Sequence, residues 1–221
     1  MSTVVLSQDV RIPSAIDDLD SFRAWAATPE FPTRGRYSFL HGEIWVDLSM
    51  EQPFTHNRVK LRMSMTLDTV ATADALGYVF ADRMLFSHEA AEFATEPDAL
   101  FVSFASLQTG QVHFVEAVGD GYREIVGTPE LVLEVVSAGS VRKDTVELLE
   151  LYWVAGIPEY WLVDVRAEPH RFDILKRGAK GYTTTRRAAG GWLKSGVFGR
   201  AFRLTQQVDP LGNPQFNLEV R

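Results

Sequence analysis

The chain has 221 residues with 22 Lys and Arg against 29 Asp and Glu, a formal net charge of −7, and no cysteine. That length fits one domain over residues 1–221 with a sizeable core, and the absence of thiols excludes disulfides and thiolate metal sites. No apolar run reaches the roughly 18 residues of a membrane span, and the amino terminus lacks the basic start and apolar core of a secretion signal. The expectation is a cytoplasmic protein with no membrane partner.

In chain order, residues 1 to 13 read as an irregular or edge segment. Asp17 to Ala27, apolar at Leu19, Phe22, Trp25 and Ala26, predicts a short amphipathic helix, which Pro29 and Pro32 stop. Tyr37 to Leu48 reads as a hairpin turning near His41-Gly42. His56 to about Ala73 predicts a helix. Tyr78 to Phe86 and Ala99 to Phe104 predict strands joined by the acidic loop HEAAEFATEPD, and Gln111 to Val118 a third extended segment. Residues 119 to 130 read as a loop with a short helix at DGYREIV.

Leu131 to Val136 is a central strand by its continuous apolar character. Asp144 to Ala155 is the strongest helix, with an expected apolar stripe of Val146, Leu149, Tyr152 and Trp153. Tyr160 to Val165 predicts a strand, followed by a hairpin, FDILKRGAKGYTTT, and shorter strands. The alternation describes a mixed sheet with helices, an α/β or α+β domain.

Two acids stand where strands need none. Asp98 follows Pro97 directly before an apolar strand, and Glu134 lies inside the run Leu131 to Val136. A buried strand keeps a carboxylate only when something pairs with it or binds it. If these strands are neighbours, the two carboxylates converge at one end of a sheet, and such oxygen ligands suit Mg²⁺ or Mn²⁺. One shared ion requires them roughly 4 to 6 Å apart. Asp98 is equally readable as a turn or capping acid, Glu134 as a salt-bridged one, and Glu43, after the Gly42 turn, as an ordinary hairpin residue or a third carboxylate. His56 opens a helix that Thr55 could cap, and it could ligate, orient a phosphate or satisfy a buried contact. The other histidines show no zinc-ligand spacing.

Pro97-Asp98, the run Pro129 to Ser137 (PELVLEVVS) and Gly156 to Asp164 (GIPEYWLVD) resemble the Uma2 family of the PD-(D/E)XK nuclease superfamily. Tyr37, Gly42-Glu43 and Thr55-His56 resemble its opening, and Gly190 to Ser195 its carboxy-terminal signature. The likeness spans about residues 15 to 205. It implies a restriction-endonuclease-like fold, a mixed central sheet flanked by helices with an amino-terminal helix and hairpin. It also implies Asp98 and Glu134 as metal ligands, Glu43 as a helper acid, a homodimer, and metal-dependent hydrolysis of nucleic-acid phosphodiesters.

The acidic charge supports a nucleic-acid partner only weakly. The basic residues are dispersed, with modest clusters at Arg142-Lys143, Lys176-Arg177-Lys180 and Arg186-Arg187, which weighs against strong nonspecific binding and leaves room for a local patch.

One departure from the family pattern concerns the catalytic lysine. Val136 stands two residues beyond Glu134, where the superfamily's simplest motif has lysine, and Leu148 stands where the family's helix carries one. Leu148 is therefore expected to face the acids. Lys143 is the nearest substitute and Lys60 a remoter one. Without a lysine the alternatives are a catalytically silent domain acting through a protein partner or oligomer, or hydrolysis or binding of a small phosphorylated molecule.

Overall fold

A computed structural model describes residues 3–7 and 10–221. In chain order it contains β1 (Thr3–Ser7), β2 (Val10–Pro13), α1 (Leu19–Ala26), β3 (Arg36–Leu40), β4 (Glu43–Asp47), α2 (Arg58–Ala73), β5 (Gly77–Ala81), β6 (Leu85–His88), β7 (Phe93–Thr95) and β8 (Ala99–Ser103). Next come α3 (Phe104–Thr109), β9 (Val112–Glu116), β10 (Tyr122–Gly127), β11 (Leu131–Val135), α4 (Leu148–Val154), β12 (Glu159–Asp164), β13 (Arg171–Gly178), β14 (Gly181–Thr184), β15 (Leu193–Lys194), β16 (Ala201–Val208) and β17 (Pro214–Val220). Single π-turns, Pro53–Asn57 and Lys143–Glu147, open α2 and α4.

The central sheet runs β14-β13-β12-β11-β8-β5, with β11 and β12 parallel and the other pairs antiparallel. β11 is buried along its whole length, and its alternation divides the molecule. Leu131, Leu133 and Val135 point to a cluster shared with α2 and the three-stranded sheet β15-β16-β17. Val132 and Val136 point to a second cluster with α4 and the sheet β4-β3-β7-β6-β10-β9. Period-2 alternation therefore puts Glu134 on the α4 side. A third cluster joins α1 to β3 through Phe22, Trp25, Tyr37 and Phe39.

α1 starts on an Asp18 capping box with Ser21, where the side chain satisfies an orphan backbone donor. α4 ends in a Schellman pair, Ile157 N–H to Tyr152 O and Gly156 N–H to Trp153 O. Gly156 takes the left-handed φ of +83° that this cap requires.

Several expectations change. Tyr78 to Phe86 is two strands in different sheets, β5 and β6, broken by Asp82 and Arg83 at positive φ. The DGYREIV segment is strand β10, because Ile125 and Val126 fill the second sheet's core beside β6. The acidic loop contains β7. Of the segment 1 to 13, residues 3–7 and 10–13 form a hairpin, while positions 1, 2, 8 and 9 lie outside the described residues. The α4 stripe is Leu148, Leu151 and Tyr152 rather than one through Val146, which is exposed. The opening π-turn adds a residue and rotates the rest of the helix.

Gly77 needs space rather than conformational freedom. A Cβ there would sit 2.1 Å from the carbonyl oxygen of Val102 in the neighbouring strand. Gly77→Ala is expected to push β5 off β8 and to destabilise the fold by about 2–3 kcal/mol, read as a lower denaturant midpoint. An unchanged midpoint would show that β5 is free to shift.

Candidate functional site

The β8–β11 register pairs Leu133 with Ala99, so the residue before β8 lies opposite Glu134. That residue is Asp98. Its Oδ2 accepts the Val135 N–H at 2.8 Å, and its own N–H points at Glu134 Oε2, 3.4 Å away. Both acids are almost wholly buried. The Tyr152 hydroxyl, from α4, donates to Glu134 Oε1 at 2.8 Å. The structure thus brings the two predicted carboxylates together on one face of the sheet.

They open into a cavity of about 50 Å³, lined also by Arg36, Asp47, His56, Glu96, Lys143 and Asp144. Such a space holds roughly three or four waters or one hydrated ion. The Ser137–Ser140 turn, each hydroxyl accepting the other residue's N–H, leads into the Lys143–Glu147 π-turn. The Leu148 N–H donates to Lys143 O, five residues back.

Leu148 itself is buried in the apolar cluster with Leu40, Phe86 and Val136 and does not line the cavity. The expectation that Leu148 faces the acids is therefore replaced, with Lys143 at the cavity wall. Lys143 Nζ lies 3.2 Å from Asp144 Oδ1.

Charge sets the protonation states. Burial pushes the Glu134 carboxyl up to about 8; Lys143 opposes this, and the Asp144 and Asp98 charges add to it. Asp144 is raised by burial too, against Lys143 and a hydrogen bond from Ser140. For Lys143 burial works downward, but the charges of Glu134, Asp144 and Asp98 raise it above the usual lysine range. It is a fixed cation at neutral pH.

Asp98 Oδ1 faces two more cations, Arg36 Nη1 at 3.1 Å and Lys60 Nζ at 3.6 Å. Both are also held by Glu51 and by Asp82 Oδ1, at 2.8 Å from Arg36 and 3.2 Å from Lys60. Burial works against the Glu51 anion, yet hydrogen bonds from Lys60 and Asn57, with the Lys60 and Arg36 charges, bring its carboxyl down to about 2. His56 is buried with Nε2 3.7 Å from Asp98 Oδ2, and its Nδ1 has no hydrogen-bond partner. Glu43 is not brought to this site; it is exposed at the β3–β4 turn. Asp47, at the other end of the same strand, lines the cavity instead.

Arg36, Asp47, Glu51, Glu96, Asp144 and Tyr152 belong to the site and were not singled out from sequence. Arg36 and Asp47 had a signal. A hairpin turning at His41-Gly42 pairs residue 36 with residue 47.

The sequence profile of the Uma2 family, described as "Putative restriction endonuclease", matches residues 19–207. The chain belongs to the Uma2 family. A solved structure from Anabaena variabilis, described as a "putative nuclease belonging to DUF820", superposes with a TM-score of 0.58 at 13% identity. The match covers 82% of this chain and 90% of that one, a likeness of fold: the restriction-endonuclease-like sheet with flanking helices. No curated protein matches. Among the described residues no group of three or more His, Asp or Glu side chains is set out to hold a metal ion, and no helix is long and apolar enough to cross a membrane.

Proposed function

We propose that this Uma2 member is a divalent-metal-dependent phosphodiester hydrolase centred on Asp98, Glu134 and Lys143. The carrying observation is the burial of Asp98, Glu134 and Asp144 around one small cavity with a protonated lysine on its wall. The donor set fits Mg²⁺ or Mn²⁺. Five carboxyl groups and two cations line the cavity, and one buried carboxyl oxygen, Glu96 Oε2, lacks a hydrogen-bond partner. Hard cations favour such oxygens.

Asp98 and Glu134 would hold the ion, with water completing its oxygen shell. A bound Mg²⁺ or Mn²⁺ supplies Lewis-acid stabilisation of charge on a phosphoryl oxygen and lowers the pKa of water. The chain's own residues supply the rest. Tyr152 fixes the orientation of Glu134 through its hydroxyl. Lys143, protonated, donates hydrogen bonds and positive charge toward an attacking water or a phosphoryl oxygen, and its raised pKa unsuits it as a base. The buried floor limits competing solvent.

Calorimetry tests the reading. Mn²⁺ is expected to bind the natural chain and to lose that binding in Asp98→Ala/Glu134→Ala. Absence of Mn²⁺ and Mg²⁺ binding in the natural chain would sink it.

A second reading, a catalytically silent domain working through a protein partner or a second copy, draws on Arg36 and Lys60. Both already neutralise Asp98 Oδ1, and a metal must compete with them there. Metal-free scattering that gives a stable oligomer, with no metal bound at millimolar concentration, favours this reading.

A further inference from the structure

Asp98 has two kinds of neighbour. On the cavity side stands Glu134, while its Oδ1 faces Arg36 Nη1 at 3.1 Å and Lys60 Nζ at 3.6 Å. Lys60 does not line the cavity that the two acids share; it meets that site through Asp98. Like Arg36, it is also held by Glu51 and Asp82. His56 lies between two of these acids, 3.7 Å from Glu51 Oε2 and from Asp98 Oδ2.

The charges in this group do not cancel. Two cations face three carboxylates, Glu51, Asp82 and Asp98. With Asp98 otherwise engaged the count is two against two, so neither Arg36 nor Lys60 is stranded as an unpaired buried charge. Depth grades the three acids: the Asp98 side chain is 2% exposed, Glu51 29% and Asp82 45%. The cations therefore span the distance from a buried acid to two acids nearer the surface. A second cavity of about 110 Å³, lined by Arg36, Glu51, His56 and Asp82 among others, gives the guanidinium room on that outer side.

We propose that Arg36 and Lys60 are resident counter-ions of Asp98, and that they must retire onto Glu51 and Asp82 before Asp98 can take a divalent ion. Glu51 and Asp82, which are not ligands, thereby set the metal affinity of the site. This deepens the hydrolase reading, on which it rests, by giving that site its regulation.

The sign follows from the charges. An ammonium 3.6 Å from the ligating oxygen repels a divalent ion and competes for the same lone pairs. Linkage makes the effect reciprocal: the factor by which the ion loosens Lys60 from Asp98 is the factor by which Lys60 weakens the ion. The outer acids act in the opposite direction. Each draws the cations away from Asp98, so neutralising one drives them back. Without metal the same cations stabilise the fold, because a buried carboxylate that loses its partners is strongly destabilising. A network that merely braces α2 against the sheet would lower stability when cut, with and without metal alike, and would leave affinity unchanged.

The test is Mn²⁺ calorimetry at one pH on the natural chain, Lys60→Met, Glu51→Gln and the double variant, with thermal midpoints in EDTA and in saturating Mn²⁺. Lys60→Met is expected to bind Mn²⁺ at least about fivefold more tightly, the lower end of ordinary coupling between sites, and to gain more in midpoint from the metal than the natural chain does. Glu51→Gln is expected to bind at least about fivefold more weakly. In the Lys60→Met background Glu51→Gln should cost much less, because one of the two cations it restrains is gone. Arg83→Met removes a cation that lines the outer cavity and makes no ion pair with Asp98, and is expected to change affinity far less. Mn²⁺ binding that Lys60→Met leaves unchanged or weakens would overturn the proposal and leave the hydrolase reading standing. A Glu51→Gln loss of equal size in both backgrounds, or an Arg83→Met gain as large as that of Lys60→Met, would overturn it too. No Mn²⁺ binding by any of these chains sinks both.

Discussion

Lys143→Met is expected to slow Mn²⁺-dependent cleavage of a labelled oligonucleotide by about 10²–10³-fold, the usual effect of removing one preorganised donor aimed at developing charge. Lys143 lines the cavity with Asp98 and Glu134, and three carboxylate charges keep it protonated. It contributes as a cation and a donor. Lys143→Arg should therefore recover part of the rate, since guanidinium keeps the charge. Were Lys143 a base, the arginine substitution would recover none of it.

Mn²⁺ binding is expected to survive in Lys143→Met, because the carboxylates remain and a like charge has gone. Leu148→Lys offers a contrast. Its amine would enter the apolar cluster of Leu40, Phe86 and Val136, so it is expected to destabilise the fold by several kcal/mol without restoring the rate of Lys143→Met. Equal cleavage by the natural chain and Lys143→Met would remove Lys143 from the chemistry.

The strand carriers of the site were readable because burial leaves a strong trace. An acid inside Leu131 to Val136 and another after Pro97 contradict their apolar settings, and both lie in the cavity wall. The element order from β11 to the β13–β14 hairpin was equally legible, since continuous apolar runs mark doubly covered strands. Spacing along α4 was not. The expectation at Leu148 rested on its match to the family's lysine position, whereas the structure puts Leu148 in an apolar cluster and Lys143 on the cavity wall after a π-turn that no local pattern announces.

Glu43 failed for a related reason. Adjacency to a recognisable turn says nothing about which end of the strand faces the core, and the cavity meets Asp47. The Arg36, Lys60, Glu51 and Asp82 network joins residues up to 46 positions apart, which no local pattern encodes.

Metal affinity is expected to rise about tenfold per pH unit up to about 8 and then level off. Burial, against Lys143 but with Asp144 and Asp98, raises the Glu134 carboxyl from 4.5 to about 8. The anion that a metal needs must therefore lose a proton first. Asp144 is raised beside it, so the proton belongs to the pair.

The same shift fixes the sign for stability. Between 4.5 and about 8 the folded state holds a proton that the unfolded state has released, so the group's contribution is fully present below 4.5 and is lost as pH rises through about 8. In EDTA, Glu134→Gln is then expected to lie close to the natural chain near pH 5 and to exceed its stability near pH 8 by of order 4 kcal/mol. The glutamine oxygen still accepts from Tyr152, and the buried charge is gone. Denaturant midpoints at both pH values, beside calorimetric Mn²⁺ titrations in buffers of different ionisation enthalpy, measure both halves of the argument. A stability difference that stays constant with pH would mean that Glu134 is ionised throughout and that its burial costs nothing the metal must offset.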